Sequence, residues 1–132
     1  MVKHYMAGIT LIIVLALAPW AMGQPMPSGK WWKDPGIAKE LDLTSQDVKQ
    51  LDDLFVQSRR RMIELKNQVE KEQFEYQTLL ESKNLDEKAV NRQLRKLEKA
   101  RSDLSEEISR FVLEVRKILG HTRFQRLQQI YR

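Results

Sequence analysis

The chain has 132 residues, with 23 Lys and Arg against 18 Asp and Glu, a formal net charge of +5. It contains no cysteine, which removes thiolate metal sites, thiol redox chemistry and disulfide scaffolding from consideration. The charge balance is mixed and only mildly basic, unlike that of a dedicated polyanion binder, so nucleic acid is not an expected partner.

The first residues read as a secretory signal. Lys3 opens a short polar region, Met6–Ala18 is an apolar run too short to span a bilayer, and Ala21 and Gly23 supply the small residues of a cleavage site before Gln24. Residues 1–23 are therefore expected to be removed on export to the periplasm. Residues 24–33, with two prolines, a serine and a glycine, read as a flexible leader ahead of one helical domain over 34–132. Trp31 and Trp32 in that leader have two open roles, as a clamp on a dimer or as part of a binding site.

Asp34 and Pro35 then mark a helix start that predicts a short helix to about Leu41. Thr44 is the next N-cap, with Leu43 and Val48 as a hydrophobic staple. From there Leu51, Phe55, Met62, Leu65, Val69, Tyr76 and Leu79 recur in four–three alternation, interrupted by Ser58 and Glu72. This is a heptad seam on one long helix ending near Glu81. Ser82–Asn84 is a turn, and Asp86 caps a second long helix whose expected seam is Val90, Leu94, Leu97, Leu104, Ile108, Phe111, Val115 and Ile118, interrupted by Arg101. Gly120 is expected to end it, and Thr122 with Gln125 to cap a last short helix to about Tyr131. The predicted fold is all-α: a long antiparallel helical hairpin with a short helix at each end. A single hairpin cannot cover both its faces, so a two-fold homodimer forming a cradle is expected.

The run Trp31–Thr44, with Leu43, Thr44 and Asp47 before the hairpin and Thr122 and Gln125 after it, resembles the LTxxQ-motif periplasmic family. That family takes in Spy- and CpxP-type stress proteins, the zinc-resistance-associated protein and periplasmic heavy-metal sensors. Asp47 stands where Gln is usual and His121 where the second Leu is usual; Asp at N3 still suits a helix N-terminus. The resemblance implies a dimeric α-helical cradle acting as an ATP-independent chaperone for unfolded envelope proteins. It equally implies a heavy-metal (zinc or nickel) sensor or resistance protein with a sensor-kinase or other regulatory partner. A structural helical interaction module is the third reading.

Candidate binding residues follow from charge and shape. Lys88, Arg92, Arg95, Lys96 and Lys99 recur on one side of the second long helix, at spacings where like charges do not favour the helix. They read either as a surface for acidic clients or as a solvated face. Arg59, Arg60 and Arg61 read either as partners of Glu106 and Glu107 across the hairpin or as cradle lining. Met62, Phe55, Phe74, Tyr76 and Phe111 are core at helical spacing or an adaptable binding surface. Glu72 and Arg101 are expected to pair in the seam and fix its register. His121 is the one weak metal candidate, for zinc with a carboxylate from a dimer mate; no other cofactor is expected. No nucleophile–base pair or phosphate loop supports an enzyme.

Overall fold

A computed structural model describes residues 29–132. The expected signal and residues 24–28 of the expected leader lie outside the described residues. From Trp31 onward the chain is already structured. Trp31–Lys33 make a 3-10 turn whose two indoles are buried, so the flexible-leader expectation is corrected for this stretch. The adjacent rings pack edge to face at 5.4 Å, which lets both enter one core although they cannot share one helix stripe.

Asp34 caps α1 (Pro35–Glu40) by accepting the Gly36 and Ile37 amides at 2.8 and 3.2 Å, with Pro35 preset for the first turn. The helix ends in a Schellman turn. The Leu43 amide donates to the Ala38 carbonyl and the Asp42 amide to that of Lys39, and Asp42 takes the positive φ, 51°, that glycine usually supplies. One residue later Thr44 and Asp47 form a reciprocal capping box, at 3.0 and 2.9 Å, that starts α2 (Ser45–Glu81). Asp86 accepts the Ala89 amide and starts α3 (Glu87–Ile130).

The short connection makes α2 and α3 antiparallel. Their register is visible in two polar layers. Ser58 of α2 bonds Glu107 of α3, and Glu72 bonds Gln93. Along α2 the buried residues fall every seventh position, Leu51, Ser58, Leu65 and Glu72, a heptad period throughout. Along α3 they include Gln93, Ala100 and Glu107, again seven apart, with Leu97 between. One stripe of the α3 seam is thus displaced by one residue from expectation, while Leu97 and Val115 of the expected seam are buried. Gln93 and Glu107 face α2, while Ile108 is 46% exposed and Arg101 is exposed. The expected Glu72–Arg101 pair does not form, because Gln93 occupies the position opposite Glu72.

The apolar core is concentrated at the open end of the hairpin, where Trp31, Trp32, Leu41, Leu51, Val115, Leu119 and Leu127 form one buried cluster. The chain reaches Leu127 by a kink inside α3. Gly120 lies at φ 75°, ψ 176°, outside any helix, and the helical run resumes after it. Thr122 and Gln125 of the expected capping box are both exposed, and a residue between them secures this junction. Arg123 does so, its Nε and Nη2 donating to the Leu119 and Ile118 carbonyls at 2.8 and 3.1 Å. Carbonyls freed by a kink need such donors. Among the described residues no helix is long and apolar enough to cross a membrane.

Candidate binding groove

The heptad seam divides the hairpin into two unlike flanks. Side chains three and four apart share a helix side, and a step of seven returns to the same stripe. On one flank, Arg61, Lys99, Asp103, Glu106, Glu107 and Arg110 line a polar cleft, continued by a second cleft with Gln57 and Glu114. Its cations are matched locally: Arg61 to Glu64 at 3.4 Å, Lys99 to Asp103 at 2.8 Å, and Arg110 to Glu107. The Asp103 carboxylate accordingly holds the Lys99 ammonium above its ordinary range, by hydrogen bond first and by charge second.

The other flank carries an apolar groove of about 450 Å³ lined by Phe55, Met62, Ile63, Ile108, Phe111 and Val112, with Gly29 at one end and Arg59 and Lys66 at the rim. No carboxylate lines it. Ile63 and Ile108 are each close to half exposed, as is Val56, one heptad before Ile63. The groove exists because of the turned seam. Placing Glu107 inward to meet Ser58 swings Ile108 and Val112 outward, beside Met62 and Ile63 of α2.

At the groove's end the N-terminal turn closes over Phe55. The Trp32 ring packs on Phe55 at 5.6 Å, and the Trp32 indole N–H donates to Asp52 at 2.8 Å. Lys33 pairs with the same carboxylate at 2.8 Å. Lys33 first, and the indole second, hold the Asp52 carboxyl below the usual carboxylate range. Two cations stand over the Phe55 ring: Lys30 Nζ lies 5.4 Å and Arg59 Cζ 5.9 Å from its centroid, within cation–π range.

The sequence-derived candidates divide between these surfaces. Arg59 and Met62 belong to the groove. Arg60 is exposed, and Arg61 lies across the seam in the polar cleft. Lys99 lines that cleft too, and Arg92, seven residues earlier, continues its stripe; Lys96 lies seven before Asp103 on the next. Lys88 and Arg95 are exposed and turned further from the seam. Within one chain the basic stripe is therefore not the rim of the apolar groove. Phe74 is 66% exposed on α2, while Tyr76 is half-buried. His121 is exposed beside the Gly120 kink, and among the described residues no group of three or more His, Asp or Glu converges to hold a metal ion.

Leu43, Thr44 and Asp47 of the first capping motif meet the second motif through a residue that pattern reading passed over. Arg123 Nη1 donates to Asp47 Oδ2 at 2.9 Å and to the Asp42 carbonyl at 3.4 Å. This pairing is the main reason the Asp47 carboxyl lies below its ordinary value. Lys30 and Lys66 are passed over as well, and Ile108 is expected in the seam rather than on the groove. Only the seven-residue recurrence of Gln93, Ala100 and Glu107 signals the α3 rotation that exposes Ile108.

A family model described as heavy-metal resistance matches residues 6–126. No curated protein and no solved structure matches the chain.

Proposed function

The chain belongs to the heavy-metal resistance family, and from that premise we propose that it is a non-enzymatic binding protein of the cell envelope that holds apolar segments of partly unfolded exported proteins in its groove, as a holdase-type chaperone. The family sits in the helical periplasmic superfamily of Spy and CpxP type, whose members are typically exported. Export by a signal at residues 1–23, cleavage between Gly23 and Gln24, and homodimerisation are part of the same proposal.

One observation carries this reading: a half-exposed apolar groove without carboxylates, rimmed by long cationic side chains. Burying apolar client surface there contributes about 25 cal/mol per Å². Met62 adapts to differently shaped side chains. The test is light scattering from an aggregating unfolded client in chelator. Suppression by the protein, lost in an Ile63→Asp, Ile108→Asp variant that keeps its helicity, is the expected result. Unchanged aggregation overturns the reading.

The family description favours a second reading, metal-linked sensing with a regulatory partner. The donors within one chain do not fit a metal centre: His121 is exposed, and no group of carboxylates converges on it among the described residues. Zinc titration of the protein and of His121→Ala separates the two readings. Tight binding lost in the variant favours the metal-linked one.

A further inference from the structure

We propose that the groove selects acidic-flanked apolar segments: extended polypeptide stretches in which carboxylates bracket an aromatic or aliphatic side chain. This rests on the groove being a polypeptide-binding site, and adds the class of segment it takes.

The charge arrangement around the groove carries the inference. Arg59 and Lys66 line it together with no carboxylate, and Lys30 stands over the Phe55 ring at its end. At the same level on the other side of the seam, Arg61, Lys99 and Arg110 are each matched to a carboxylate. Lys30 and Arg59 also crowd the same Phe55 ring, two like charges held by one quadrupole. A carboxylate arriving there accepts from both, and charge-assisted hydrogen bonds of this kind are the stronger ones.

Spacing sets the pattern. Arg59 and Lys66 are two turns apart, a rise of about 10 Å along α2. A segment in the extended polyproline II conformation, with three residues per turn and a rise of about 3.1 Å each, covers that distance in about three residues and brings its side chain back to the same side. Two carboxylates three positions apart thus reach the two cationic stations, and the side chain between them lies over Met62 and Ile63. A basic segment meets like charge at both stations, which supplies the rejection as well as the attraction that specificity requires.

The experiment is fluorescence anisotropy of three short labelled peptides with one apolar centre, flanked by Asp pairs, Ser pairs or Lys pairs. The expected result at low salt is binding of the Asp peptide about 10-fold or more tighter than the Lys peptide. The ratio should collapse toward one at about 1 M salt, where charges are screened beyond roughly 3 Å. Arg59→Gln with Lys66→Gln removes the preference and keeps the weaker Ser-peptide binding. Arg92→Gln with Lys96→Gln, on the opposite flank, leaves the preference intact. Equal binding of the Asp and Lys peptides overturns the proposal, and so does a preference that follows Arg92 and Lys96. Binding to anionic vesicles with none to peptides overturns it in favour of a lipid surface. A dimer that Ile63→Asp dissociates, with no peptide binding, overturns it in favour of a second copy. Aggregation suppression that persists without charge preference defeats this inference alone. Loss of suppression together with Ser-peptide binding defeats the groove reading beneath it.

Discussion

Arg123 Nη1 lies 2.9 Å from Asp47 Oδ2, across 76 residues of sequence, and this one contact joins the capping box that starts α2 to the kink near the end of α3. The same guanidinium donates to the carbonyls of Asp42, Ile118 and Leu119. A planar fork with five N–H donors suits four acceptors in fixed directions; an ammonium does not. Arg123→Ala should therefore cost about 2–3 kcal/mol, since hydrogen bonds involving a charged group are the costly ones to remove. Arg123→Lys should recover less than half of that. Asp47→Ala should cost about 1–2 kcal/mol through loss of the cap. Urea unfolding of the two single variants and the double variant should show a coupling of at least about 0.5 kcal/mol. Additive losses would mean that the pair does not hold the two motifs together.

The pairing also sets the sign of an acid response. A carboxyl whose folded value is depressed contributes stability that is present above its unfolded value, and that stability is lost as pH falls through the folded value. Asp47, held down first by Arg123, and Asp52, held down first by Lys33, both fall in this class. Stability should fall as pH drops below the ordinary Asp value of 3.8. Asp47→Asn should lower stability at neutral pH and flatten the acid limb. Thermal melts from pH 7 to pH 2 measure both effects, and parallel curves for the two proteins would rule out the linkage.

How far the sequence discloses this molecule depends on which residues are asked. Caps and turns are local, so Asp34, Thr44, Asp47 and Asp86 mark their helices from sequence alone. The α2 seam is legible too, because its heptad keeps Leu51 and Leu65 on the buried stripe. The α3 seam is not. Leu94, Arg101 and Ile108 form an equally regular stripe one residue away from Gln93, Ala100 and Glu107. Hydrophobicity favours the first; hydrogen bonding to Ser58 and Glu72, visible only across the hairpin, selects the second. The groove depends on that choice, so its floor was half hidden even though Arg59 and Met62 were singled out. Trp31 and Trp32 mislead for another reason: they sit among prolines, serine and glycine, and their burial is decided by residues as distant as Leu127.

Those polar layers carry a prediction of their own. Glu72 is buried and accepts from Gln68 at 2.8 Å and from Gln93. Gln93→Leu alone strips a buried carboxylate of a donor and should cost about 1–3 kcal/mol. Replacing both residues, Glu72→Leu with Gln93→Leu, should be close to neutral or stabilising. The informative measurement on rotation is on a Gln93→Ala, Glu107→Ala variant, which breaks both polar layers without adding a large apolar side chain to the observed stripe. If the layers fix the α3 rotation, Ile108 should become more protected there. Labelling of a cysteine placed at position 108 reads this, and unchanged accessibility would show that the rotation is fixed elsewhere.

Trp31 and Trp32 are the packing test. Both are buried in the cluster at the open end of the hairpin. Trp32→Ala should cost about 3–5 kcal/mol, as large aromatic truncations in cores do. Deletion to residue 33 should lower the melting temperature further than deletion to residue 28. Equal melting temperatures would return the tryptophans to the status of a leader.

The kink at Gly120 isolates a backbone effect from a packing effect. A Cβ added there meets nothing within 4 Å, so any cost of Gly120→Ala comes from the dihedrals alone. At φ 75° and ψ 176° an L-residue lies in a region open essentially to glycine, and the strain should be about 1–3 kcal/mol. Asn, which tolerates the left-handed helical region, should not rescue it, because this ψ lies outside that region. D-alanine should: its mirror-image preference covers φ 75°, ψ 176°, and it narrows the unfolded ensemble relative to glycine. Position 120 is near enough to the C-terminus for semisynthesis by ligation of a short peptide. The D-Ala protein should match or exceed the glycine protein in urea midpoint, with the L-Ala protein below both. If L-Ala proves the more stable, α3 has straightened through position 120. The Arg123 bonds to Ile118, Leu119 and Asp47 would then have to break together, which the coupling measured between Arg123 and Asp47 in that background would register as zero.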